Sequence, residues 1–543
     1  MNTSTLTTRA RKNEGVVFTP GNHALAMVTE ALYCRLNADI PHLDRNSFDV
    51  FIMGNAPLDV GRALVRFLLN YIYLDPAVGE GIFLRTLRER IKSLAGQYDI
   101  PVPERWLSSN VFGYDLDPDM VRKCRASFAE PPRLFVGDYL LARKKIKPDI
   151  IIANPPYIRQ ELLRGDYKIS LRDHLQSRWR DLAISARADL YVYFLLKAAK
   201  DLNVKGTLTF IIPNSWMDND YGQAVRDLFR RHFQVYSIAE SDQRHFEADI
   251  NTVIVSAVKK PPVPRAEIYL SREGSRRFIT QQELEQMDLG WYGSLFRCPD
   301  WLLAELKSNQ KLLPLGKVFR VMTGIITGDN RRYYRSEGVN ETYQPAIKSP
   351  REAATIVFDA KDAGSWVKVK NTPYHIRRAP LLWTDLRGGR HLVVWNRDNI
   401  PFEHTFYGLI PHSCRDLRTL ALLLNSSWVW LMVEIFGRKG LGGGAVRMVK
   451  RDLLKIPLPD PRELAFPENL DTLLHRPIES WQTELIRPDR TILDAIVFES
   501  LDLKRRYNEC MDLLRSLMAL RARKAGPIGG APAKTSKSTG PKK

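Results

Sequence analysis

Apolar positions are distributed in two alternating rhythms over the first half of the chain. The segment 70–94, "NYIYLDPAVGEGIFLRTLRERIKSL", opens on a β-rich apolar run, turns at Asp75–Gly81 and continues with apolar residues at helical spacing. That order predicts strand, glycine turn, helix. Three further runs repeat the opening: "NVFGYDLDPDM" ending at Asp115 and Asp117 before the helical "MVRKCRASF", "RLFVGDYLL" ending at Asp138, and "PDIIIANPPY", residues 148–157. Each predicted strand finishes in acidic, glycine or amide residues, and ligands of open parallel sheets bind outside the carboxyl ends of strands. A common cleft would collect all four tips. "ADLYVYFLLKAAKDL" reads as an amphipathic helix, "GTLTFIIPNSWM" as a strand, and "FQVYSIAE" and "NTVIVSAV" as two more, predicting a mostly parallel sheet with an added antiparallel edge.

The pattern changes near residue 265 to short mixed strands with interspersed glycine and basic residues. The predicted organisation is a catalytic domain over 1–264, a mixed α+β domain over 265–489, a helical segment over 490–524 and a disordered basic tail over 525–543. "TLALLLNSSWVWLMVEIFG" reads as one long core helix, in which Trp428 and Trp430 need no functional role.

Composition narrows the partners. Among 543 residues there are 81 Lys plus Arg against 61 Asp plus Glu, a net charge of +20 that favours a polyanion, nucleic acid before a membrane surface. No apolar run approaches the roughly 18 residues needed to span a bilayer, and the first twenty residues hold no apolar core of a signal peptide. Five scattered cysteines without C-x-x-C spacing argue against a disulfide framework or a zinc site, so a soluble protein of the reducing cytoplasm is expected.

The chemistry sits in the turns. The glycine turn lacks the lysine of an ATP-binding P-loop, and Asp75 before its glycines would repel a pyrophosphate and suit a cationic ligand. At 154–157, Asn-Pro-Pro-Tyr stops a buried strand with two residues that donate no backbone hydrogen bond, leaving an amide and an aromatic ring at its mouth. Asp75-Pro76-Ala77-x-Gly79-x-Gly81, Asp115, Asp138 and Asn154-Pro155-Pro156-Tyr157, preceded by "GVVFTP" at 15–20, resemble the ordered motifs of gamma-type S-adenosylmethionine-dependent DNA adenine-N6 methyltransferases of the TaqI and Eco57I-like group.

The resemblance covers nearly the whole chain to about residue 520 and implies a Rossmann-like α/β methyltransferase domain followed by a mixed α+β target-recognition domain. It implies S-adenosyl-L-methionine as cofactor, with Asp75, Gly79 and Gly81 near its methionine part, Phe18, Thr19 and Pro20 closing over it, Asp115 on the ribose hydroxyls, and Asp138 on the adenine amino group with Tyr139 stacking nearby. Asp117, two residues on, is the rival ribose ligand. Asn154 and Pro155 would supply acceptors for the reacting amine, Tyr157 one face of a flipped base, and Phe246 the other. Segments 316–334 and 438–461 look like parts of the recognition domain, with Arg331 and Arg447 as candidate phosphate contacts. The implied partners are double-stranded DNA and a separate cognate restriction endonuclease, with no membrane. With no convincing nuclease motif and a short amino terminus, a stand-alone methyltransferase is expected. The same cleft would serve an enzyme methylating RNA or a protein glutamine, and a non-catalytic DNA-binding protein would keep the basic half without needing Asn-Pro-Pro-Tyr.

Overall fold

The computed structural model describes residues 19–142, 146–241, 251–272, 274–338, 340–413, 416–439 and 444–524. The chain divides into two compact units, 1–292 and 293–543. Phe18, Phe246 and the 525–543 tail lie outside the described residues.

The first unit is built on a nine-stranded sheet: β1 (Tyr73–Asp75), β2 (Val111–Asp115), β3 (Arg133–Val136), β4 (Ile150–Ala153), β5 (Thr207–Pro213), β6 (Gln234–Glu240), β7 (Thr252–Val258), β8 (Glu267–Arg272) and β9 (Ser275–Thr280), in the order 3-2-1-4-5-7-6-8-9. The first five pair in parallel. Every residue of β4 and β5 is buried, which is why they read as uninterrupted apolar runs rather than alternating ones. The order reverses between β1 and β4, so their carboxyl ends open a crevice.

Two expectations change here. The antiparallel strand is not at the edge: β7 is inserted between β5 and β6 and pairs antiparallel with both, leaving β6 parallel to β5. Nor does the sheet stop at residue 264, because β8 joins β6 in parallel and β9 closes the edge with exposed Arg276 on an otherwise open strand. The change of rhythm at 265 reflects these half-exposed edge strands, whose outer face need not be apolar.

The helix Gly21–Asp39 packs against the sheet through Met27, Val28, Ala31 and Leu32. At its far end Arg35 meets Asp39 at 2.8 Å and covers the ring of Tyr71, tying the helix to the chain that enters β1. Such a partly desolvated charge is held only because it is paired.

In the second unit a five-stranded sheet runs in the order Phe319–Thr323, Phe406–Pro411, Leu381–Thr384, Val393–Asn396, Val357–Phe358. The apolar stretch expected as one helix is two, Leu417–Leu424 and Ser427–Phe436, bent by 50°. Asn425 is the last residue bonded into the first helix, its side-chain amide bonds both the N–H and the C=O of Val393, and Ser426 caps the second helix. The second helix is buried throughout. Among the described residues no single helix is long and apolar enough to cross a membrane. The carboxyl-terminal helical segment consists of Pro488–Ser500 and Tyr507–Lys524.

Candidate active site

Asp75 closes β1 and is 1% exposed. Its Oδ1 accepts from the N–H of Ala77 at 3.0 Å, whereas its Oδ2 is buried with no hydrogen-bond partner among the described residues. Burial pushes this carboxyl up to about 8, because the ionised form has lost its water. A buried acid with one idle oxygen is stabilised by a cation or donor brought in from outside.

The turn beyond it needs its glycines. Gly79 and Gly81 have φ of +51° and +84°. A Cβ on Gly79 would meet no atom within 4 Å, so its backbone is open to close approach, whereas one on Gly81 would collide with Cys124 Sγ. The turn is stitched to the neighbouring strand: Gly79 N–H donates to Asp115 Oδ2 at 2.8 Å, and Val78 N–H to the Tyr114 carbonyl at 2.8 Å. Asp115 therefore holds the glycine turn with one oxygen, while its Oδ1 accepts from Asp117 N–H at 2.9 Å. Asp117 instead caps the helix Pro118–Ala126, accepting from Asp119 N–H at 2.8 Å. Asp115 faces the glycine turn, and Asp117 starts a helix.

Asp138 follows β3 and accepts from Leu140 N–H and from the hydroxyl of Tyr167, both at 2.8 Å. Tyr167 lies in the helix Gly165–Arg178. Nothing in the sequence spacing marked it, since it is an aromatic in a helix of weak amphipathicity. Tyr139 corrects an expectation. Its ring packs in the interior against Tyr114 and Phe194, and its hydroxyl donates to Asp201 at 3.0 Å, so it belongs to the core and not beside a cofactor ring. The short 3-10 turn Tyr139–Leu141, capped by Asp138, rotates the side chain inward.

Asn154 leaves β4, the neighbour of β1, and its Nδ2 donates to Thr19 Oγ1 at 3.0 Å. The amino-terminal box and the Asn-Pro-Pro-Tyr turn, 135 residues apart, are thus in direct contact. Pro20 is the N-cap of the helix Gly21–Asp39, which fixes Thr19 over the strand tip. Pro155 is buried, and Tyr157 is 8% exposed with its hydroxyl donating to the Ile211 carbonyl of β5 at 3.1 Å. Acid-lined glycine turn, two further acids and an aimed amide occupy the ends of four adjacent strands. Among the described residues no group of His, Cys, Asp or Glu is arranged to hold a metal ion.

In the second unit, Arg331 is exposed and Arg447 pairs with Asp385 at 3.0 Å while remaining half exposed. Residues 440–443 of the glycine-rich segment lie outside the described residues.

Residues 126–246, which carry Asp138 and Asn154–Tyr157, match the Eco57I restriction-modification methylase family. The chain is 22% identical over 536 residues to the type II methyltransferase M.BstVI of Geobacillus stearothermophilus, covering 81% of this chain and 92% of that one. It is 23% identical over 402 residues to the type II methyltransferase M.PaeR7I of Pseudomonas aeruginosa, covering 60% of this chain and 66%, just under two thirds, of that relative. The chain is thus similar, over residues 126–246 and beyond, to restriction-modification methyltransferases. The type IIL restriction-modification enzyme MmeI, solved in complex with DNA, shares the fold at a TM-score of 0.58 and 14% identity, over 95% of this chain and 80% of its own.

The cofactor of these methyltransferases is S-adenosylmethionine, and the residues present fit it. The idle, buried oxygen of Asp75 suits its cationic methionine end, the open backbone at Gly79 allows close approach, and the acids at the next two strand tips suit hydroxyl and amino donors.

Proposed function

We propose that the protein is a site-specific methyltransferase that transfers a methyl group from S-adenosylmethionine to N6 of an adenine flipped out of duplex DNA. The observation that carries this reading is the Asn154–Thr19 contact, which aims the amide of Asn-Pro-Pro-Tyr at the mouth of a strand bordering the Asp75 turn. In this reading Asp75, Gly79 and Gly81 hold the methionine part of the cofactor, with Phe18, Thr19 and Pro20 over it. Asp115 takes the ribose hydroxyls and Asp138 the adenine amino group.

The bound cofactor supplies an electrophilic methyl group on a sulfonium. Adenine N6 is a poor nucleophile because its lone pair is delocalised into the ring, so acceptors that match the tetrahedral geometry of the transition state speed its reaction. Asn154 Oδ1 and the Pro155 carbonyl are the acceptors. With Nδ2 engaged by Thr19, the amide has little freedom to turn, and the Pro-Pro pair restricts the backbone that carries both oxygens. Asn154 and Pro155 would hold the amine while the cofactor, held by Asp75, Gly79 and Gly81, would supply the methyl group and depart as a neutral thioether, with the N6 proton passing to water. Tyr157 offers one stacking face to the extruded base, and Phe246 the other.

The second unit, with its exposed Arg331 and half-exposed Arg447, would position the duplex. The net charge of +20 and the DNA complex of MmeI support that assignment. A separate restriction endonuclease recognising the same site is the proposed biological counterpart. Methylation of RNA or of a protein glutamine is the competing reading, and it leaves the basic second unit without a task. Incubation with methyl-labelled S-adenosylmethionine and parallel duplex DNA, RNA and protein substrates separates the two. Label is expected in duplex DNA alone, and label confined to RNA or protein would overturn the proposal.

A further inference from the structure

We infer that Asp189 is a positioning residue that clamps the chain leaving Tyr157 and thereby holds Asn154 and Tyr157 in register for methyl transfer. The inference rests on the proposed function, and it starts from a helix cap that does not cap. Asp189 occupies the N-cap position of the helix Leu190–Asp201, where a carboxylate ordinarily accepts from the first turn of its own helix, yet it makes no such bond. Its Oδ1 accepts instead from Gln160 N–H at 2.9 Å, and the next residue, Leu190, donates its N–H to the Ile158 carbonyl at 3.0 Å.

These two bonds grip the first and third residues after Tyr157. The grip matters because Pro155 and Pro156 have no N–H, so the loop cannot tether itself through its own backbone at those positions. Tyr191, two residues past Asp189, bonds Ser215 at 3.1 Å, and Tyr221 bonds both Ser215 at 2.7 Å and Tyr191 at 3.2 Å, which ties the start of this helix to the chain leaving β5. On the other side Tyr157 is held at its hydroxyl by Ile211 of β5. The loop is thus fixed to β5 directly and again through the helix start at Asp189–Tyr191. Misplacement of a reacting group by about 1 Å can cost a hundredfold in rate, so loosening one anchor is expected to show in chemistry before binding.

Three variants and a control test this in the full-length protein. Asp189→Ala deletes the acceptor. Gln160→Pro deletes the donor of the same bond, at the first position of the short turn Gln160–Leu162, after an Arg159 whose extended backbone (φ −68°, ψ 148°) suits a following proline. Asp189→Asn keeps an acceptor oxygen. Asn203→Ala removes a bond to Asp149 at the opposite end of the strands, 3.0 Å long, and serves as the control for general destabilisation. Single-turnover methyl transfer to DNA is expected to fall roughly tenfold or more in Asp189→Ala and Gln160→Pro, with cofactor affinity by calorimetry unchanged. Asp189→Asn should stay within about threefold of the parent, since an amide oxygen accepts the same bond. Asn203→Ala should lower the unfolding midpoint without lowering the rate. Amide exchange of peptides covering 150–162 should quicken in Asp189→Ala and Gln160→Pro, a readout independent of activity. Parent-like rates and exchange in both of these variants would overturn the clamp, as would equal failure of Asp189→Asn or of the control. If the parent methylates no DNA, the proposed function falls, and the exchange measurement still decides whether the clamp exists.

Discussion

Asn154 and Tyr157 share one turn but answer to different partners, and their variants should diverge accordingly. Asn154→Ala removes an acceptor proposed to face the reacting amine, so the single-turnover rate should drop about a hundredfold or more while DNA affinity holds, by analogy with loss of one preorganised donor elsewhere. A loss confined to DNA affinity would contradict that role. Tyr157→Ala removes a stacking face worth about 1–3 kcal/mol per base and should weaken base extrusion, read as a smaller 2-aminopurine signal at the target position. The hydroxyl of Tyr157 is not incidental, because it donates to the Ile211 carbonyl. Tyr157→Phe should therefore keep the stacking but lose an anchor worth about 1 kcal/mol, giving a small effect on rate and stability. An effect as large as that of Ala would shift the role from ring to hydroxyl. Asp75 predicts a pH dependence. Its folded carboxyl is raised to about 8 from an ordinary 3.8, so between those values the folded state holds a proton that the unfolded state has released. Its contribution to stability thus falls as pH rises through that window, whereas a cation beside Asp75 favours the ionised form. Cofactor binding should tighten as pH rises toward 8 and should release a proton below it, measurable by calorimetry in buffers of different ionisation enthalpy. Proton uptake would place the cation elsewhere. At this scale the sequence was legible where a residue type had one reason to be there. Tyr139 was not, because a ring after a capping aspartate can turn to cleft or core, and Asp189 was not, because it reads as an ordinary helix cap.

The elements that carry the site were legible for a physical reason. A parallel strand covered on both faces must be apolar throughout, so β4 and β5 stand out as runs, and their polar ends mark the cleft. What pattern could not reveal was pairing. The place of β7 between β5 and β6 depends on contacts across the sheet, and the break at Asn425–Ser426 falls where Asn425 bonds Val393 of a different element. The meeting of Thr19 with Asn154 likewise needs the folded chain, since the resemblance implied Thr19 over the cofactor and Asn154 on the reacting amine without joining them. The glycine turn makes the sharpest prediction at this scale. Gly79→Ala enters open space and should cost only the strain of a positive φ, about 1–2 kcal/mol. Gly81→Ala carries that strain and also drives a methyl into Cys124, so its unfolding midpoint in denaturant should fall further. Cys124→Ala in the Gly81→Ala background should recover part of the loss, a coupling that a double-mutant cycle isolates. Equal destabilisation by the two alanines, with no recovery, would contradict the packing described here.

For the whole molecule, the two compact units divide the proposed work. The first gathers acids, glycines and an aimed amide at one end of a sheet, and the second adds exposed arginines over a core with internal ion pairs, such as Arg490 with Glu484 at 3.0 Å and Arg521 with Glu434 at 2.9 Å. The net charge of +20 was legible at once and pointed to a polyanion, but charge speaks to association and not to which base is modified. The Asn-Pro-Pro-Tyr turn bears on that question, and in the proposed reading it directs the methyl group to the exocyclic amine of adenine. The most direct measurement is to incubate the protein with methyl-labelled S-adenosylmethionine and unmethylated duplex DNA, digest the product to nucleosides and identify the labelled one by mass spectrometry. N6-methyladenine as the labelled nucleoside, lost in Asn154→Ala, is the predicted result. Label in N4-methylcytosine or 5-methylcytosine, or in adenine undiminished by Asn154→Ala, would contradict the account.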